Sequence, residues 1–185
     1  MDMFRDRTVV VAVTAGIAAY KSAMLVRELK AANAEVLVIM TEGATEFITP
    51  LTLETLSQNP VAVKMFDREN KWDLEHIALA DRADVFIIAP ATANIIGKSA
   101  NGIADDLVST TILTMMSSVP ILMVPSMNDR MWENPIVQQN VKALEKVGVR
   151  FVGPEVGKLA DGRTGMGRMA SIEEILTTAQ TLIRK

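Results

Sequence analysis

The chain has no cysteine among its 185 residues and a single histidine, His76. Without thiols there is no disulfide, no thiolate metal site and no cysteine nucleophile, and one imidazole cannot build a multi-histidine metal centre within one chain. No metal is expected. An excess of positive charge is missing as well: the net charge of −3 and a pI near 5.3 provide no basic surface for nucleic acid or an anionic membrane. The apolar run near the start, MDMFRDRTVVVAVTAG, is interrupted at Gly16 and Lys21. It is too short to span a bilayer and has no small-residue cleavage pattern, so it reads as a first buried strand in a cytoplasmic protein. Repeats, low-complexity tracts and an interdomain linker are absent, which leaves one domain over residues 1–185.

What is present is an alternation. Apolar, β-branched runs occur at 8–14, 35–40, 61–66, 83–91, 119–126 and 149–153. Their near-continuous hydrophobicity suits strands covered on both faces, as in a parallel sheet. Helical patterns fill the intervals: 17–32, a segment from about Thr49, a long one over 92–116, 134–148 and 171–185. Thr49–Pro50 and Asn134–Pro135 read as capping residues followed by first-turn prolines. Asn101–Gly102 breaks the long segment, and Asp105 is expected to cap its continuation. Ser171 with Glu174 has the spacing of a capping box. The expected fold is an α/β three-layer sandwich around a doubly wound parallel sheet, flavodoxin- or Rossmann-like.

In such sheets ligands sit beyond the carboxyl ends of the strands, and the sequence is least generic there. TAGIAAYK (14–21) places Gly16 at a tight turn before a helix start whose free N–H groups suit a phosphate; a plain β-α turn is the other reading. The full G-x-G-x-x-G pattern is lacking, so a dinucleotide site is not supported. Thr41 ends the second strand with a hydroxyl, and Phe47 behind it reads as core. PATAN (90–94) puts Thr92 and Asn94 in a first helical turn facing the ligand end. PSMNDRMWENP (125–135) repeats the arrangement with Asn128, an amide able to orient a carboxylate. Met127, Met131 and Trp132 read as packing residues. His76, on a helix before the fourth strand, is the one side chain with an unperturbed pKa near neutrality. Four glycines, two arginines, Lys158 and Asp161 fill GKLADGRTGMGRM (157–169), which reads as a loop that moves or lets backbone approach a ligand.

TAGIAAYK, the histidine of EHIALA, PATAN, ANGIADDL, PSMNDRMWENP and GPE…GMGRM follow one another in an order that resembles the homo-oligomeric flavin-containing cysteine decarboxylases, most closely the phosphopantothenoylcysteine decarboxylase branch. The resemblance implies FMN as cofactor and a phosphorylated thiol, 4′-phosphopantothenoylcysteine, as substrate. By it, Gly16, Ile17, Thr41, Thr92, Ala93, Asn94, Ile95 and Ser126 surround FMN, with Ile95 standing where threonine is usual. Asn128 holds the substrate carboxylate, and Met127, Lys158, Ala160 and Arg168 line the substrate. His76 is the active-site base, reaching the flavin of a neighbouring subunit in a homotrimer or homododecamer. A synthetase domain is often fused to such proteins. The implied chemistry oxidises the thiol to a thioaldehyde so that the electrons left by CO2 have a sink, then reduces the resulting enethiolate.

One position departs from the branch. The 157–169 loop matches the substrate flap, which in that branch reads Ala-Cys-Gly with the cysteine as proton donor; here it reads Ala160–Asp161–Gly162. Three readings follow: Asp161 or another group delivers the proton, Asp161 serving once flap closure buries it and raises its pKa; the reaction stops at an enethiol, as in the peptide decarboxylases of this family; or the chain is a flavin-binding regulator. A solvated Asp-Gly turn is the plain alternative for Asp161, and solvated surface charge for Lys158, Arg163 and Arg168.

Overall fold

Alternate residues of the first strand face opposite ways, and both ways are dry. Val9, Val11 and Val13 join one apolar cluster and Val10 and Ala12 another, all five inaccessible to solvent. That double burial is why the runs carry no polar alternation. The computed structural model describes residues 2–65 and 75–183. Six strands, β1 (Thr8–Val13), β2 (Glu35–Met40), β3 (Val61–Ala62), β4 (Val85–Ala91), β5 (Ile121–Pro125) and β6 (Arg150–Phe151), form one parallel sheet in the order β3-β2-β1-β4-β5-β6.

Helices α1 (Ala19–Ala31), α2 (Pro50–Ser57) and α8 (Ile172–Ile183) cover one face, through Leu25, Leu29, Leu53 and Ile175. On the other lie α3 (Glu75–Arg82), α4 (Ala93–Ala100), α5 (Leu107–Met115) and α7 (Pro135–Lys146), through Leu79, Ile96, Ile112 and Leu144. Each such side chain, moved from water to the interior, contributes about 1.5–3 kcal/mol. The expected doubly wound α/β sandwich is therefore observed. The strand order reverses between β1 and β4: β1 leads out to β2, and β4 leads the opposite way to β5. Their connections part there and leave a crevice at the carboxyl ends.

The proline-marked helix starts are as expected. Thr49 accepts from the Thr52 N–H and Asn134 from the Ile136 N–H, ahead of Pro50 and Pro135. Other expectations need correction. Asp106, not Asp105, caps α5, in a reciprocal capping box with Ser109, while Asp105 pairs with Lys98. Ser171 accepts from the Glu174 N–H, but its own N–H donates to Glu155 rather than to Glu174. Phe47 is 47% exposed and not core. Met127 and Trp132 do pack against the apolar cluster, whereas Met131 is exposed.

The largest correction concerns residues 157–169. They are not a loop but most of an antiparallel hairpin, β7 (Glu155–Lys158) and β8 (Thr164–Arg168), standing apart from the main sheet. Glu155 clasps its base. The carboxylate takes Arg168 across the hairpin and the Ser171 N–H at the start of α8, and the arginine holds it below the usual carboxylate range.

Candidate active site

A cavity of about 1260 Å³ opens over the carboxyl ends of β1, β2, β4 and β5. The turns after these strands form its floor, the hairpin covers one end, and residues 63–65 with the α4–α5 connection close the other.

Hydroxyls tie the floor together. Thr14 is 2% exposed, and its Oγ1 donates to the Pro90 carbonyl at 2.7 Å and lies 3.4 Å from Thr92 Oγ1. Ser22 in α1 donates to the Ala89 carbonyl at 2.6 Å. The first and fourth strand ends are thus linked across the crevice. Thr92 also caps α4 by accepting from the Ile95 N–H. The N–H groups of Gly16 and Ile17 before α1, and of Ala93 and Asn94 opening α4, have no acceptor among the described residues. These are the orphan donors of two helix starts, aimed at one cavity. Thr41 Oγ1 is buried on the cavity wall with no partner among the described residues.

At the hairpin end backbone approaches backbone closely. The Met127 N–H donates to the Gly167 carbonyl at 3.1 Å. A Cβ on Gly167 would sit 2.1 Å from the Met127 carbonyl oxygen, and one on Gly165 would sit 2.7 Å from Asp129 Oδ2. Only glycine lets the hairpin lie this close. Asn128 caps the short helix α6 (Asp129–Trp132), its Oδ1 accepting from the Arg130 N–H at 3.0 Å. Its Nδ2 donates to Asp161 Oδ2 at the hairpin tip, 3.4 Å away.

The expected residues Gly16, Ile17, Thr41, Thr92, Ala93, Asn94, Ile95, Ser126, Met127, Asn128, Lys158, Ala160, Asp161 and Arg168 all line this cavity. Ile95 gives it little: the side chain is 1% exposed and packed in the core, and the N–H is taken by Thr92. Arg168 is committed to Glu155 and Arg163 to Asp129 and Asp161, while Lys158 has no ion-pair partner among the described residues. His76 lies in the first turn of α3, and its side chain is outside the described residues. Burial of Asp161 was expected only on closure of the flap, and with the hairpin as it stands the residue is open to solvent. Its carboxylate is exposed, and hydrogen bonds from Arg163 hold it below the usual carboxylate range, ionised at neutral pH.

Two groups escaped the sequence reading. Lys21, one turn into α1, lines the cavity, and burial followed by the nearby Arg168 pulls its pKa down. At the far end Lys98 reaches Asp105 at 2.6 Å and Asp106 at 2.8 Å. Burial pushes the Asp106 carboxyl up, but its bonds from Lys98 and Ser109 outweigh this and leave it lowered. The signal for the first was a lysine within TAGIAAYK. The second joins residues seven and eight apart across the Asn101–Gly102 break.

Residues 2–184 match the Flavoprotein family. The chain belongs to that family. It is 43% identical over 178 residues to the coenzyme A biosynthesis bifunctional protein CoaBC of Bacillus subtilis, covering 96% of this chain and 43% of that one. The chain thus spans less than half the length of such bifunctional relatives. A probable phosphopantothenoylcysteine decarboxylase of Streptococcus mutans is 40% identical over 170 residues, 92% of this chain and 95% of the relative. Among solved structures, a PPC decarboxylase mutant complexed with pantothenoylaminoethenethiol superposes with TM-score 0.85 at 29% identity, covering 98% of this chain and 100% of the other. The FMN-dependent cysteine decarboxylase SpaF gives TM-score 0.82 at 28% identity, over 97% and 98% of the two chains.

For a flavoprotein the cavity is well furnished. Four N–H groups at two helix starts, unpaired among the described residues, suit the phosphate of a flavin mononucleotide, as does the Thr41 hydroxyl, which has no partner among those residues. The volume exceeds the 300–1,000 Å³ or so of a single drug-sized ligand, leaving room for a second molecule beneath the hairpin.

Proposed function

We propose that this flavoprotein is an FMN-dependent carboxy-lyase that decarboxylates 4′-phosphopantothenoylcysteine to 4′-phosphopantetheine in coenzyme A biosynthesis. The observation that carries this reading is the Asn128 amide, presented under the hairpin of a cavity large enough for both flavin and substrate and already donating to a carboxylate. The names of the Streptococcus relative and of the superposable PPC decarboxylase support it. FMN, when bound, accepts a hydride equivalent from the thiol-bearing substrate and can return it.

The rest falls to the chain. Gly16, Ile17, Ala93 and Asn94 offer N–H donors to the FMN phosphate, with Thr41, Thr92 and Ser126 beside them. Asn128 orients the substrate carboxylate. Lys158, at the hairpin end, meets the substrate phosphate. Arg168 acts indirectly, holding the hairpin through Glu155. His76 is the base, delivered from a neighbouring subunit. Exposed apolar side chains at and before the start of α1 favour a homotrimer or homododecamer with the site at its interface: Ile17 in the preceding turn and Tyr20 and Met24 in the helix are 61%, 54% and 55% exposed. Residues 1–185 serve as one FMN-binding domain, and the bifunctional CoaBC relatives support a synthetase domain fused to it in the natural gene. No described helix is long and apolar enough to cross a membrane, and a role in coenzyme A synthesis supports a cytoplasmic location.

One observation favours a second reading. With Asp161 held ionised by Arg163, no proton donor stands in for the missing cysteine at this position. An enzyme that stops at the enethiol needs none. The decisive assay supplies 4′-phosphopantothenoylcysteine to the FMN-loaded protein and weighs the product. Phosphopantetheine supports the full reaction, and a product lighter by two hydrogens supports the shortened one. Turnover of neither this substrate nor cysteine-ending peptides overturns both in favour of a flavin-binding regulator.

A further inference from the structure

Asn128 divides its amide between two tasks. Its oxygen serves its own helix, accepting from the Arg130 N–H. Its NH2 faces a carboxylate, the group that the proposed reaction requires it to recognise, and that carboxylate belongs to the protein. Asp161 Oδ2 lies 3.4 Å from Asn128 Nδ2 and accepts from Arg163 Nη2 at 2.7 Å and Nε at 2.9 Å. Asp161 Oδ1 accepts from the Arg163 N–H at 3.0 Å. Arg163 reaches on to Asp129 at 3.1 Å, on the helix that Asn128 caps. Asn128 and Asp161 are 33 residues apart, so their contact exists only while the hairpin is docked.

We propose that Asp161 is an internal carboxylate that keeps the substrate's place, resting on the Asn128 amide until a substrate carboxylate displaces it and returning once that carboxylate has left as CO2. The inference rests on the reading of Asn128 as the substrate-carboxylate ligand. Charge favours the exchange. One guanidinium already serves two carboxylates, so the Asp129–Arg163–Asp161 group carries a net negative charge. A third carboxylate at Asn128 meets repulsion unless Asp161 swings away. Decarboxylation then removes the competitor: the C–C bond breaks, its electron pair stays on the substrate and neutral CO2 departs. Nothing anionic is left on the Asn128 amide, and Asp161 recovers its contact. The tip is built for such a movement, because it is exposed and turns at Gly162, whose φ of +85° suits glycine. Substrate therefore works against Asp161, whereas a product lacking the carboxylate does not.

The test compares FMN-loaded wild type with Asp161→Ala. It measures KM for 4′-phosphopantothenoylcysteine, the inhibition constant of 4′-phosphopantetheine, and ligand-free hydrogen exchange of residues 159–163. In the variant KM falls roughly two- to fivefold, the span of an exposed charged contact. The inhibition constant stays unchanged and exchange at the tip rises. A KM that is unchanged or higher, or a KM and inhibition constant that move together, overturns the proposal. If the wild type neither turns over nor binds the substrate, the decarboxylase reading fails on its own. Hydrogen exchange then judges the resting contact: faster exchange in the variant supports it, and unchanged exchange overturns it.

Discussion

The central strands and the hairpin are held by opposite means. In β1, β4 and β5 the side chains do the work, with Val10, Phe86, Ile88 and Leu122 wholly buried and the backbone fixed by its ladders. In the hairpin the inner positions are glycines, and what holds it is the approach of backbone to backbone at Gly167 and Met127 plus exposed ion pairs at Glu155 and Arg163. A sheet assembled from apolar volume is stable and immobile. A hairpin docked through absent side chains and solvent-screened charges can detach at little cost. One region fixes the cavity and the other covers it.

Substitutions that attack each region by its own means test this division. The largest effect is expected in the sheet: Phe86→Ala destabilises by about 3–5 kcal/mol in urea unfolding, whatever ligand is present. Gly167→Ala attacks the hairpin, since the new Cβ overlaps the Met127 carbonyl oxygen. Turnover falls about a hundredfold through misplacement, with the melting temperature close to that of wild type. A melting temperature that drops with activity would erase the distinction between fixed and covering parts.

Asp106→Ala acts away from the hairpin, at the start of α5, and its expected effect is smaller. It removes the α5 cap and one partner of Lys98, for a loss of about 0.5–2 kcal/mol at neutral pH. Because the folded Asp106 carboxyl titrates below its unfolded value of about 3.9, its contribution is complete above that pH and disappears as the pH falls through the folded value. Wild type and variant stability curves should therefore converge in acid. The smallest effect is expected from Thr41→Val, which removes a buried hydroxyl that has no partner among the described residues. The apoprotein should be as stable as wild type or more so, while FMN affinity falls roughly two- to tenfold by flavin fluorescence titration. Lower apoprotein stability would mean that the hydroxyl serves the fold and not the flavin.

The same division explains what could be read from the sequence. The central strands of the main sheet were legible because residues buried on both faces must be apolar throughout, as in VVVAV and VFII. The floor of the site was legible for a related reason: Gly16, Thr41, Thr92 and Asn128 are small or polar residues placed where an apolar strand ends, and a core gives no cause for them. The hairpin was not legible. Its register pairs Gly157 with Gly165, and only Val156 opposite Met166 is apolar, so no period-two pattern exists to be seen. Asp161 misled for another reason. Its ionisation is set by Arg163 two residues on and by the docking of the tip, and the sequence shows the neighbour without showing the exposure.

The reversal of strand order between β1 and β4 has a thermodynamic consequence. The cavity takes its floor from turns after β1 and β2 in the first third of the chain and after β4 and β5 well beyond it. A molecule bound there requires both halves of the sheet to be in place at once, and neither half alone retains it. Occupancy thus acts as a non-covalent cross-link between distant parts of the chain. At a hundred times its dissociation constant it adds about 2.7 kcal/mol to the folded state. Partial unfolding from either edge of the sheet then has to release the ligand first, so loading the site makes the two halves unfold as one.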